Sequence, residues 1–166
     1  MTDLTERAVS ARVPSLADKP LKVLARRDPL TVRPGTSVAD CIALIQSAGT
    51  GDSIFVTDAD GTLLGVLAER DIFARLVGRE VDLSRPVEVF MKQHPWTLNL
   101  EQPVRHAIDL MQTGRYRNVP LVDDKDRLVG VIRPGDVLKY LAEAFPEELL
   151  NLPPRPHQRI KESEGA

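Results

Sequence analysis

A chain of 166 residues, 42% of them hydrophobic, is long enough to bury a core of its own. Its 22 basic and 24 acidic residues leave a formal net charge of −2, which gives no cationic field of the kind that phosphate backbones attract. A single cysteine excludes an internal disulfide framework and any multi-cysteine zinc site, and no run approaches the roughly 18 apolar residues that span a bilayer, so a soluble cytoplasmic protein is expected.

Residues 1–18 show weak periodicity and read as an N-terminal extension; MTDLTERAVS lacks the basic-then-apolar plan of a signal peptide. A first unit is expected over 19–80. KVLARR leads into the extended DPLTV, after which Val38, Ile42 and Ile45 recur at helical spacing. Cys41 lies inside that pattern and reads as a small buried hydrophobe. SIFVTD and LLGVL, joined across DADG, form a predicted hairpin, and a helix follows from Glu69 to about Gly78. REVDLSRP is a polar link, and VEVFM after it suits a short helix.

A second unit is expected over 81–145. HPWTLNLEQPVRHAIDLMQ supplies an extended lead and a helix marked by Val104, Ile108 and Met111. Trp96 reads first as a core filler, with stacking on a base as the other reading. VPLVDD and LVGVI make a second hairpin across DKDR, and Pro134 suits the first turn of a helix running to about Phe145. Residues 146–166 are proline-rich and charged and read as a flexible tail, in which EELLNL could form one docking turn and PPRP an extended partner motif.

The two units are copies. Pro29 aligns with Pro95, Thr31 with Thr97, Val38 with Val104 and Ile42 with Ile108, all 66 residues apart. After one gap the spacing becomes 65, and Asp58 aligns with Asp123, Gly65 with Gly130 and Asp71 with Asp136. Each copy is a strand, a helix, two strands and a helix, too small to cover its own sheet, so an α+β fold with two mutually dependent repeats is expected.

PLTV and PWTL, the phrase RNVPLVDD, and the endings GVLAERD and GVIRPGD resemble the cystathionine-β-synthase (CBS) domain pair, or Bateman module, over roughly residues 19–144. The resemblance implies two repeats packed sheet to sheet about a pseudo-twofold axis, and a flat homodimer of such modules. It also implies clefts that bind adenosine-bearing ligands: AMP, ADP, ATP or S-adenosylmethionine.

A carboxylate can accept hydrogen bonds from both ribose hydroxyls, and the resemblance gives that role to Asp71 and Asp136; each could equally be an acid favoured by a helix N-terminus. Thr31 and Thr97 are expected to touch ligand through backbone or else to serve as β-formers. Asn118, Val119 and Pro120 belong to the RNVPLVDD phrase and are carried over as ligand-binding residues. The family usually has Ser or Thr three residues before each of those aspartates; here Ala68 and Arg133 stand there. The first copy thus lacks a phosphate-binding hydroxyl, whereas Arg115, Arg117 and Arg133 read as a basic cluster beside Asp136, which makes the Asp136 site the expected nucleotide site.

No nucleophile elbow, P-loop or His-Glu-x-x-His motif is present, and His94, His106 and His157 share no ligand spacing, so neither an enzyme nor a metal site is expected. The leading expectation is a stand-alone regulatory sensor of an adenine nucleotide acting on an unidentified effector, without nucleic acid or membrane. A structural dimerisation module with vestigial clefts remains the alternative.

Overall fold

The computed structural model describes residues 16–24, 26–49, 53–76, 80–114 and 116–144. The proline-rich tail with EELLNL and PPRP, and Arg115, lie outside the described residues.

In the first copy, β1 (Thr31–Val32) leads to α1 (Val38–Ala48), the hairpin β2 (Ser53–Thr57) and β3 (Leu63–Ala68), and α2 (Glu69–Leu76). After β4 (Lys92–Gln93), the second copy repeats the order with β5 (Leu98–Asn99), α3 (Val104–Gln112), β6 (Val119–Val122), β7 (Leu128–Ile132) and α4 (Pro134–Ala144). The sheets run β1-β2-β3-β4 and β5-β6-β7. Their registers match: Thr31 faces Phe55 and Leu98 faces Leu121 across parallel pairs, while Val56 faces Gly65 and Leu121 faces Gly130 across antiparallel ones.

The hairpins are closed by aspartates, as turn chemistry leads one to expect. Asp58 Oδ1 accepts from the backbone N–H groups of Asp60 and Thr62, each at 2.9 Å, and Asp123 Oδ1 accepts from those of Lys125 and Arg127 at 2.9 and 3.0 Å. The Arg127 side chain and these amide donors hold the Asp123 carboxyl down at about 2, and Asp58 is lowered chiefly by the Thr62 amide.

The segments at the start of each copy, ahead of its lead strand, are exchanged. Pro20 and its following turn, Leu21–Val23, pack on the second copy, where Leu21 and Leu24 join the core of Val104, Ala107, Val119, Leu121 and Ile132. In the corresponding way Pro86 and the turn Val87–Val89 pack on the first copy, and Val87 and Phe90 join Val38, Cys41, Ile54 and Leu67. Each segment also serves a helix start, where backbone N–H groups have no partner within the helix. Val104 N–H donates to Lys19 O at 2.8 Å; Val38 and Ala39 N–H donate to Arg85 O and Leu83 O at 3.0 and 2.9 Å. The short helix expected in VEVFM is thus a single tight turn placed under the first copy.

A third cluster joins the sheets of the two copies: Phe55 and Val66 from the first meet Val131 from the second, flanked by Leu63 and Leu128. At the hairpin tips Leu63 N–H donates to Asp126 O and Leu128 N–H to Gly61 O, at 3.1 and 3.0 Å. Trp96 departs from its core-filler reading. Trp96 lies just ahead of β5 between the buried Pro95 and half-buried Thr97; it is 61% exposed, and its backbone N–H donates to Tyr116 Oη at 2.8 Å.

Candidate functional site at the join of the two copies

A groove of about 620 Å³ runs along the join. The first copy contributes Ser53 and Val66 from the hairpin, Ala68 at its end, and Arg70, Asp71 and Phe73 from α2; the second contributes Tyr116, Arg117 and Asn118; Lys92 comes from β4 between them. This size suits one nucleotide-sized molecule between apolar walls and a few convergent polar groups. Two bonds tie the copies together across it: Arg70 Nη1 donates to Gly114 O, and Asn118 Nδ2 donates to the Ser53 hydroxyl, both at 3.0 Å. Lys92 Nζ stands over the Tyr116 ring, 5.3 Å from its centre.

Charge is arranged along the groove. Asp71 lies in the first turn of α2 beside Glu69, half-buried, and Arg70, Arg117 and Lys92 supply three exposed cations against those two carboxylates. Among the described residues no group of three His, Cys, Asp or Glu side chains is placed to hold a metal ion.

The expected basic cluster is distributed differently from its reading in the sequence. Arg117 and Asn118 line the groove that contains Asp71, because the copies pack so that the start of β6 lies beside the start of β2, where Asn118 meets Ser53. Asp136 is 5% exposed. Its Oδ1 accepts from Arg27 Nε at 3.1 Å and its Oδ2 from the backbone N–H of Arg133 at 2.9 Å, so it holds the start of α4 in the manner of an N3 capping acid. Arg133 is half-buried at that helix start, Val119 and Pro120 are buried in β6, Thr31 opens β1 on an exposed face, and Thr97 is half-buried just before β5; none of these lines the groove.

Phe73, Lys92, Tyr116 and Arg27 were not singled out by the sequence reading. Phe73 and Ala74 follow Arg70 by three and four places on α2, so the three share a helix face. Lys92 belongs to β4, whose position depends on the exchange, and Tyr116 to the connection between α3 and β6 in the second copy.

The CBS domain family matches residues 21–78 and again residues 87–143. The chain belongs to this family and carries two CBS domains in tandem. Among solved structures, the CBS pair is similar to a CBS-domain containing protein of Agrobacterium tumefaciens at 30% identity and a TM-score of 0.65, covering 74% of this chain and 99% of that one. It shares its fold with a CBS domain pair solved with 5-methylthioadenosine and S-adenosyl-L-methionine (21% identity, TM-score 0.64, 76% and 98% covered). It shares it also with CBSX2 in complex with AMP (21%, 0.66, 75% and 97%). The chain spans 66% of the length of the two archaeal curated relatives it matches at 29% and 25% identity, from Methanopyrus kandleri and Acidianus ambivalens. Among the described residues no helix is long and apolar enough to cross a membrane.

Proposed function

We propose that this CBS pair is a regulatory sensor that binds an adenine nucleotide in the groove at the join, with the ribose on Asp71. The observation that carries this reading is the meeting, in one groove built from both copies, of an accessible carboxylate, the apolar surfaces of Val66 and Phe73, and the cations Arg70, Arg117 and Lys92. The carboxylate suits a diol, the apolar surfaces suit a base, and the cations suit phosphate. The complexes of related pairs with AMP and with S-adenosyl-L-methionine support the adenosine class. Three cations against two acids favour a nucleotide over the cationic sulfonium. The missing hydroxyl at Ala68 is offset by the Arg117 guanidinium, which comes from the other copy.

In this reading the preferred site moves from Asp136 to Asp71, since Asp136 already has both carboxylate oxygens engaged. A ligand in the groove bears on both ties between the copies, Arg70 to Gly114 and Asn118 to Ser53, and so favours one arrangement of the pair over another. Phe73 and Leu138, at equivalent places on α2 and α4, are 68% and 65% exposed, and we take these helix faces as the surfaces through which the pair forms a homodimer or meets its effector.

Calorimetric titration with AMP, ATP and S-adenosylmethionine tests the reading. Losing a hydrogen bond to a charged group costs about 1.5–3 kcal/mol, so Asp71→Asn should weaken AMP binding by roughly 10- to 100-fold. Asp136→Asn should leave AMP affinity within about threefold. The reverse order would move the site back to Asp136, and no heat or thermal shift at millimolar ligand would leave the pair as a structural module.

A further inference from the structure

The two copies are equivalent in sequence around Asp71 and Asp136, yet the carboxylates are in different states. Both follow a core strand and occupy the first turn of the next helix. β3 runs on to Ala68, which stays paired with Ser53, whereas β7 ends at Ile132 and leaves the Arg133 N–H for Asp136 Oδ2 at 2.9 Å. The other oxygen of Asp136 is taken by Arg27, whose backbone is itself pinned to the sheet: Arg27 N–H donates to Val131 O, and Val131 N–H to Arg27 O, each at 3.1 Å. Arg27 belongs to the segment at the start of the first copy, ahead of β1, and reaches the second copy through the exchange. The residue aligned with it, 66 places on, is Gln93, which is neutral and lies in β4.

We propose that Arg27 is a built-in plug: its guanidinium takes the place at Asp136 that a ribose would need, so that the pair holds one nucleotide per chain, at Asp71, and admits a second only when Arg27 is displaced. A guanidinium presents N–H donors to a carboxylate as a diol presents two O–H donors, so the two compete for the same oxygen. Asp136 is buried and held by the Arg133 N–H, whereas the Arg27 side chain is 53% exposed and has water to move into. Displacement therefore falls to the arginine. A nucleotide also brings an anion that can receive Arg27 once released, which adenosine does not.

The inference rests on the nucleotide reading of the groove, and dialysis equilibrium with radiolabelled AMP on the full chain separates the two. The wild type should bind one AMP per chain, and Asp71→Asn should abolish it. Arg27→Gln, which installs the residue found at the aligned position, should bind two, and adding Asp136→Asn should remove the second alone. One AMP in Arg27→Gln, lost with Asp71→Asn, overturns the plug and leaves the groove reading intact. No AMP on any variant overturns both. Two AMP on the wild type also overturns the plug. The Arg27 Nε–H resonance of the wild type gives a reading that needs no folded variant. It should stay in place as AMP saturates the groove, and its disappearance or large shift would count against the plug.

Discussion

Gly65 and Gly130, the glycines shared by GVLAERD and GVIRPGD, are where the exchanged segments cross the sheets. A Cβ on Gly65 would stand 2.9 Å from Met91 Cγ and 3.0 Å from the Lys92 carbonyl oxygen; one on Gly130 would stand 3.1 Å from Arg26 Cδ. The first obstacle includes backbone, the second is a flexible side chain that can swing away. Gly65→Ala should therefore cost about 1–3 kcal/mol by overpacking, and Gly130→Ala less, as read by urea denaturation; equal losses would show that β4 yields as readily as an arginine stem. Cys41, which faces the core of the first copy with no exposed surface, has its thiol pushed up to about 11, chiefly by burial and then by Asp40. Its burial was legible from helical spacing alone. The state of the two aspartates was not, since nothing local to GVLAERD or GVIRPGD says whether a guanidinium arrives from elsewhere.

At the level of elements, equivalent helices begin by different means. α1 starts from Ser37, whose hydroxyl accepts from Asp40 N–H at 3.1 Å and donates to the Asp40 carboxylate at 2.7 Å. α3 starts from Pro103, with no side-chain cap, and depends on Lys19 O for its first N–H. Ser37→Ala should cost about 1 kcal/mol and fray α1 ahead of α3, measurable as faster amide exchange at Asp40 and Cys41; unchanged exchange there would show that the link carbonyls of Leu83 and Arg85 suffice. The end of α1 is set by Gly49, and Gly114 turns the chain after α3; both have positive φ, 63° and 67°, which glycine adopts without strain. These starts, ends and hairpins follow from periodicity, turn residues and caps. The lead strands, only two residues each, take their limits from the neighbours they pair with, and the exposed Trp96 lies just outside β5.

For the molecule as a whole, the exchange makes each copy's core depend on a segment from ahead of the other. Leu21 is fully buried in the core of the second copy although it stands at the start of the first. Leu21→Ala should cost roughly 2–5 kcal/mol and lower amide protection first in α3, β6 and β7, with α1 and β2 affected less; loss beginning in α1 would contradict the exchanged packing. The sequence by itself determined the duplication, the order of elements in each copy, the faces they bury, and the family. The tertiary structure alone decided which segment covers which core, which residues meet in the groove, and which aspartate remains open. Periodicity, capping and turn chemistry act over a few neighbouring residues and leave their mark in composition. The partner of a charge or a face comes from the closure of long loops: Arg27 and Asp136 lie 109 residues apart, and only the folded chain brings them within 3.1 Å.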